Sequence, residues 1–270
     1  MKTFTLEVNG IRYSCVESGA GPLLLLGHGT LGGKRLLLPQ LEHLSRFFRC
    51  VAFDWRGHGE TGYDPAGWTA NDLVEDVAVL IGLLGEKRAM MAGVSQGGAV
   101  AMRVALTHPD KITALVNMCG GPGAPPPAVA AVLDEFVKVL AEEQDEAVRR
   151  DAAITFAARH FHAPGFTERE PRRFAAEIDV ILSHPRESVR LLPGVPKSYV
   201  DISPRLGRIA CPTLILWATH DGRPALGGTL AAAIAGAELV TIANAGHHVN
   251  VDAPQETSAA LEAFLRSIRP

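Results

Sequence analysis

The sequence predicts an α/β fold: a mostly parallel sheet of eight strands flanked by helices, with a helical lid inserted after the sixth strand. Three observations predict it. Short apolar runs, LLLLG at 23–27, CVAFD at 50–54, AMMAGV at 89–94 and ITALVNM at 112–118, alternate with stretches of helical spacing. That alternation stops at GGPGAPPP, 120–127, and returns at Pro212. Ahead of the first run lie two segments of alternating polarity joined by Asn9-Gly10.

Residues 3–9 and 11–17 read as strands, and Asn-Gly readily takes the positive φ of a tight hairpin turn, so the chain opens with an antiparallel pair. The uninterrupted apolar runs that follow imply burial on both faces of a sheet. Between them, 34–47, 70–84 and 96–107 carry apolar positions at helical spacing. Strands alternating with helices in this way form a parallel sheet covered on both sides. From 120 to about 204 the segments 128–143, 145–161, 168–182 and 186–192 fit short helices, punctuated by Pro164, Pro171, Pro185, Pro193 and Pro196. After Pro212 come a strand TLILWAT, a helix over 224–235, a strand AELVTIA at 237–243 and a closing helix over 254–268. The chain thus divides into a core, 1–121 and 203–270, and a cap, 122–202. An excursion of this kind is expected to cover a site, because loops at the carboxyl ends of parallel strands carry function.

A chain of 270 residues with 47% hydrophobic content can bury one large core. Its net charge of -3, without a long run of one sign, argues against nucleic acid or a polyanionic partner and leaves a small-molecule substrate. The amino terminus lacks the apolar core of a secretory signal, and Leu23–Leu26 is too short to span a bilayer. A soluble, cytoplasmic protein with no membrane partner is expected. Cys15, Cys50, Cys119 and Cys211 are widely separated and form no CxxC pair, so they read as small buried hydrophobes and not as zinc ligands or a disulfide framework.

The segment Gly93-Val94-Ser95-Gln96-Gly97-Gly98 lies between an apolar strand and a helix. This is a G-x-S-x-G nucleophile elbow in its strand-turn-helix context. The serine occupies a strained turn, and the residues two before and two after it must lack bulk so that backbone segments can approach. The turn presents the Ser95 hydroxyl above the sheet edge and puts the Gln96 N–H at a helix N-terminus, where it can stabilise an oxyanion. A second oxyanion donor is expected after strand 23–27. The Thr30 N–H is the choice, with Leu31 behind it, because Gly29, Gly32 and Gly33 let the backbone turn inward.

A serine hydroxyl is a poor nucleophile and needs a base. His247 fits, on a loop after strand 237–243 and just before a Pro-initiated helix; His248 is its rival. Neighbours on an extended loop point in opposite directions, so one of the pair reaches Ser95 and the other packs or hydrogen-bonds elsewhere. His28 belongs to a Gly-rich turn and reads as support for the oxyanion loop. His43, His58, His108 and His184 read as solvated or helix-end side chains, while His160 and His162 in the insertion could face substrate. The orienting carboxylate should follow a strand between the serine and the histidine. Asp221, directly after LILWATH, meets that test, whereas the strand after the elbow helix ends Asn117-Met118-Cys119-Gly120 with no acid. Asp54 and Asp252 read as structural, the first paired with its own Arg-containing turn and the second near a helix start.

Through HGT at 28–30, DWRGHGET at 54–61, GVSQGG at 93–98, HD at 220–221 and NAGH at 244–247, the sequence resembles the α/β-hydrolase superfamily of small, lidded enzymes. The resemblance covers nearly the whole chain outside the insertion. It implies the order Ser, Asp, His for a triad, an acyl-enzyme on Ser95, and no metal or organic cofactor. A serine at the elbow sets the chain apart from the haloalkane dehalogenases and epoxide hydrolases that it otherwise resembles, because those use a carboxylate. The leading expectation is hydrolysis of a carboxylic ester or lactone of a small to medium, mainly apolar substrate. The alternatives are hydrolysis of a carbon-carbon bond next to a ketone, a cofactor-free oxygenase or perhydrolase, and a ligand receptor reusing the triad. Arg103, a few residues past the elbow, lies too deep in its helix to hold a substrate carboxylate.

Overall fold

The computed structural model describes residues 1–268. Eight strands, β1 (Lys2–Val8), β2 (Ile11–Ser18), β3 (Leu23–Gly27), β4 (Arg49–Phe53), β5 (Ala89–Val94), β6 (Ile112–Met118), β7 (Thr213–Ala218) and β8 (Glu238–Ile242), form one sheet in the order β1-β2-β4-β3-β5-β6-β7-β8. Strand β2 pairs antiparallel with both β1 and β4, and the pairs from β4 to β8 are parallel. The hairpin turn has φ of 49° at Asn9 and 78° at Gly10, the two positive values that a tight turn joining right-twisted strands requires. The central strands β3, β5 and β7 are buried along their whole length, and the edge strand β1 is exposed at alternate positions, Thr3, Thr5 and Glu7. Uninterrupted and alternating apolar patterns thus sort into sheet centre and sheet edge.

The helices are α1 (Leu38–Leu44), α2 (Ala70–Leu83), α3 (Gln96–Thr107), α4 (Pro127–Glu142), α5 (Glu146–His160), α6 (Phe166–Arg169), α7 (Pro171–Leu182), α8 (Arg186–Val189), α9 (Gly194–Lys197), α10 (Leu226–Ala233), α11 (Val249–Asp252) and α12 (Pro254–Ser267). Prolines set several boundaries. The stretch 34–47 is a 3₁₀ turn, Lys34–Leu37, followed by α1 with Pro39 in its first turn, and Pro171 divides 168–182 into α6 and α7. In both places the proline has no N–H to continue the preceding helix but fits the first turn of the next. Asp145 stands just outside α5 as its N-cap, accepting from Ala147 N at 2.8 Å. The short helices α9 and α11 hold too few residues to show a period. Among the described residues, no helix is long and apolar enough to cross a membrane.

Helix α3 packs on β5 and β6, so the helix that follows the elbow lies against the middle of the sheet. All of α4 to α9 lies between β6 and β7, with α5 packed on α4 and α7. This inserted block starts and ends at the carboxyl side of the sheet, the side on which β5 delivers Ser95.

Candidate active site

Ser95 stands between the end of β5 and the first residue of α3 with φ 52° and ψ -112°, a conformation that a side-chain-bearing residue avoids unless its surroundings enforce it. The surroundings are two close backbone approaches. A Cβ on Gly93 would lie 2.2 Å from Gly97 C, and one on Gly97 would lie 2.2 Å from the Gly27 carbonyl oxygen. The glycine spacing is therefore steric, and the strain it permits lifts the serine out of the sheet.

The structure brings Ser95, Asp221 and His247 together. The Ser95 hydroxyl donates to His247 Nε2 at 2.8 Å, and His247 Nδ1–H donates to Asp221 Oδ2 at 2.5 Å. Asp221 Oδ1 accepts from the Arg223 N–H at 2.7 Å, and its side chain is 1% exposed. Burial works against ionisation of that carboxyl, but the hydrogen bonds and charges of His247 and Arg223 outweigh it and hold the group below the usual carboxylate range. An acceptor-only carboxylate fixes the proton of His247 on Nδ1 and leaves Nε2 free to take one.

Thr30 and Gln96 line the cavity beside Ser95. Among the described residues, neither backbone N–H donates to another protein group, whereas the Leu31 N–H, placed behind Thr30 in the sequence reading, is occupied by His58 Nε2 at 3.3 Å. Thr30 Oγ1 donates to Gln96 Oε1 at 3.0 Å and ties the two loops together, while Gln96 Nε2 is buried without a partner.

Behind this loop the structure corrects two expectations. His58 and His184 are buried, not solvated, and stand in a row with His28, with ring centroids 4.9 Å apart for His28–His58 and 5.2 Å for His58–His184. The glycine-rich turns leave backbone N–H groups without strand partners, and the imidazoles accept from them: His28 Nε2 from Trp55 N, His58 Nε2 from Leu31 N and His184 Nδ1 from Gly59 N. Burial lowers all three, His28 to about 3. Each must gain a proton on unfolding, so below the ordinary value of 6.5 the unfolded chain binds more protons and stability falls as the pH drops toward 3. The midpoint of thermal unfolding is expected to decline already between pH 6.5 and about 5, before carboxylates titrate. A flat profile there, followed by calorimetry, would contradict three neutral buried imidazoles. His43 and His108 lie at the surface against Glu262 and Glu75, as read.

A second correction concerns Asp54. It is structural, but its partner is Lys34, with Nζ at 2.6 Å and the backbone N–H at 2.7 Å; Arg56 turns away to Asp76 at 2.5 and 2.7 Å. Asp252 is also structural, accepting from Gly246 N and Ala163 N. His248 makes no hydrogen bond to Ser95 and donates through Nδ1 to Glu177. His160 lines the cavity, and His162 is buried beside Asp252 and Glu177.

The cavity over Ser95 has a volume of about 470 Å³. Its wall is largely apolar and comes from the insertion: Pro125, Pro126, Val129, Val132, Leu133, Phe156 and Phe161, with Tyr199 opposite. Sequence reasoning missed most of these, because the insertion carries no motif. In the structure Val129 and Val132 leave an apolar pair on α4 that is 56% and 45% exposed. Of the five phenylalanines of the insertion, Phe156 and Phe161 face the cavity; Phe136 stacks behind Phe156, and Phe166 and Phe174 surround His162. Arg103 is buried, bonded to the Ala99, Pro122 and Val200 carbonyls, and lies over the Tyr199 ring.

Cys119 Sγ, Asp221 and His247 offer atoms within 4.8 Å of one another. This is a poor ligand set. Burial pushes the Cys119 thiol up, which keeps it protonated, and both His247 nitrogens are engaged by Asp221 and Ser95.

A parallel sheet that delivers a strained serine at a strand-helix elbow, with a histidine and an acid on loops of later strands, defines an enzyme of the α/β-hydrolase class. Residues 22–254 match the family described as alpha/beta hydrolase fold, and the chain belongs to it. Over 111 residues the chain is 32% identical to a 2-(acetamidomethylene)succinate hydrolase of Mesorhizobium japonicum, a match covering 41% of this chain and 40% of that one. A hydrolase from Pseudomonas aeruginosa PA01 is 30% identical and superposes with a TM-score of 0.86 over 97% of this chain and 98% of its own. The enol-lactonase from Burkholderia xenovorans LB400 is 26% identical, with a TM-score of 0.87 over 97% and 99%.

Proposed function

We propose that the chain is a serine hydrolase acting on a carboxylic ester or lactone of a small to medium, mainly apolar substrate, through an acyl-enzyme on Ser95. The observation that carries this reading is the 2.8 Å hydrogen bond from Ser95 to His247 at the floor of an apolar cavity, beside two unengaged backbone N–H groups. Ser95 Oγ attacks the carbonyl carbon while His247 Nε2 takes the hydroxyl proton. The oxyanion accepts from the Gln96 and Thr30 N–H groups. His247 returns the proton to the departing alkoxide, and water, deprotonated by the same nitrogen, releases the acid. In this reading residues 122–202 act as a lid that supplies the apolar wall and excludes water. The similarity to an enol-lactonase supports a lactone or ester carbonyl as the electrophile.

A panel of p-nitrophenyl esters and simple lactones tests it. A cavity of about 470 Å³ should favour acetyl to octanoyl esters over hexadecanoyl by at least about tenfold in kcat/KM, since it falls in the lower part of the range for small-ligand sites. A fluorophosphonate should phosphonylate Ser95 with loss of HF, adding the mass of the phosphonyl group to the peptide bearing Ser95. Absence of both turnover and labelling would overturn the reading.

A further inference from the structure

One buried cluster of titratable groups is not used by the chemistry above, and it joins the lid to the loop of His247. Glu177 of α7 is 0% exposed. Its Oε1 accepts from His248 Nδ1–H, and its Oε2 lies 3.0 Å from His162 Nε2, close enough for an ion pair though poorly aligned for a hydrogen bond. His162 Nδ1 in turn lies 2.5 Å from Asp252 Oδ1. The other Asp252 oxygen accepts from two backbone donors, Gly246 N of the histidine loop at 2.7 Å and Ala163 N of the lid at 2.8 Å.

The two neighbours of His247 are therefore both tied to the lid. Gly246 shares a carboxylate with Ala163, and His248 N donates to the Phe161 carbonyl at 2.9 Å. The Phe161 ring stacks on His248 with centroids 3.9 Å apart. At Gly246 the approach is so close that a Cβ would lie 2.4 Å from His162 C. The His248 ring also reaches the oxyanion loop. A Cβ on Gly29 would lie 3.4 Å from His248 Nε2 and 3.2 Å from Ser95 Cβ.

We propose that Glu177 and His248 are positioning residues for the hydrolysis: the lid carboxylate holds the His248 ring as a spacer between the histidine loop and the oxyanion loop, so that lid docking sets His247 and the Thr30 loop against Ser95. Burial opposes a charge on His162, but Asp252 and Glu177 lift it to about 9; burial likewise opposes ionisation of Glu177, but His248 and His162 hold it down to about 2. Charge on both is thus kept in a dry interior, where an ion pair is an inefficient source of stability compared with apolar packing. Its placement around His247 gives it a geometric use, because a displacement of about 1 Å in a reacting group costs roughly 100-fold in rate.

The inference rests on the serine-hydrolase reading, and one experiment separates the two. In Glu177→Gln, functional sites are counted by fluorophosphonate titration, and kcat per titrated site and KM are measured with p-nitrophenyl acetate. The expected result is a fall of about tenfold or more in kcat per site with KM within about twofold. A merely structural role would lower the number of titratable sites and leave each at full rate. Should Glu177→Gln fold poorly, the double variant Glu177→Leu/His248→Phe removes both polar partners while keeping the ring on Phe161, and the same fall is expected. A kcat per site within about twofold of wild type in the folded variants would overturn the positioning role. Wild-type protein that neither turns over esters nor labels at Ser95 would instead overturn the serine-hydrolase reading, and this inference with it.

Discussion

Replacing Ser95 by alanine is expected to lower kcat for any substrate ester by about five to six orders of magnitude while leaving the fold intact. The change removes one oxygen, the proposed nucleophile, which donates to His247 Nε2 at 2.8 Å. Alanine tolerates the elbow, because the crowding that selects glycine falls on Gly93 and Gly97 and not on the serine itself. The Gln96 and Thr30 N–H groups remain in place and still polarise a bound carbonyl, so a residual rate above that in water persists. Stopped assays with p-nitrophenyl butyrate, together with a thermal unfolding curve matching wild type, measure it. Full esterase activity in Ser95→Ala would place the nucleophile elsewhere.

The sheet and the elbow were legible in the sequence because both are local. A run such as Leu23–Leu26 can be buried on both faces without reference to any distant partner, and the spacing Gly93, Ser95, Gly97 follows from contacts within one turn and with the Gly27 carbonyl. The juxtaposition of Asp221 and His247 with Ser95 was legible for a related reason: parallel strands bring successive carboxyl-end loops to one edge whatever the side chains between them do. What could not be read were pairs fixed only by tertiary packing. Asp54 had Arg56 two residues away, yet Lys34 takes it while Arg56 goes to Asp76. His58 and His184 were misplaced because their burial depends on donors of turns far from them in sequence, Leu31 for the one and Gly59 for the other. Glu177 was invisible for the same reason. On an amphipathic helix one acid in a motifless insertion reads as solvent-facing, and only the fold shows it against His248 and His162.

For the acid, Asp221→Asn is expected to lower kcat by about 10⁴ with little change in KM, and the geometry says which way the amide turns. The Arg223 N–H, 2.7 Å from Asp221 Oδ1, needs an acceptor, so the asparagine oxygen stays there and its NH₂ faces His247 Nδ1. Nδ1 then becomes the acceptor, and the ring proton moves to Nε2, where it meets the Ser95 hydroxyl with no lone pair to offer. The nucleophile keeps its proton although every heavy atom holds its place. Binding is untouched because the Asp221 side chain, 1% exposed, lies beneath His247 and contributes little surface to the cavity. Pre-steady-state measurement of acylation by p-nitrophenyl butyrate isolates the step: both the burst rate and the steady-state rate should fall together, since His247 serves each half-reaction. Activity within about tenfold of wild type would mean that the imidazole is oriented from elsewhere, and the end of β6, Asn117-Met118-Cys119-Gly120, carries no carboxylate to do it.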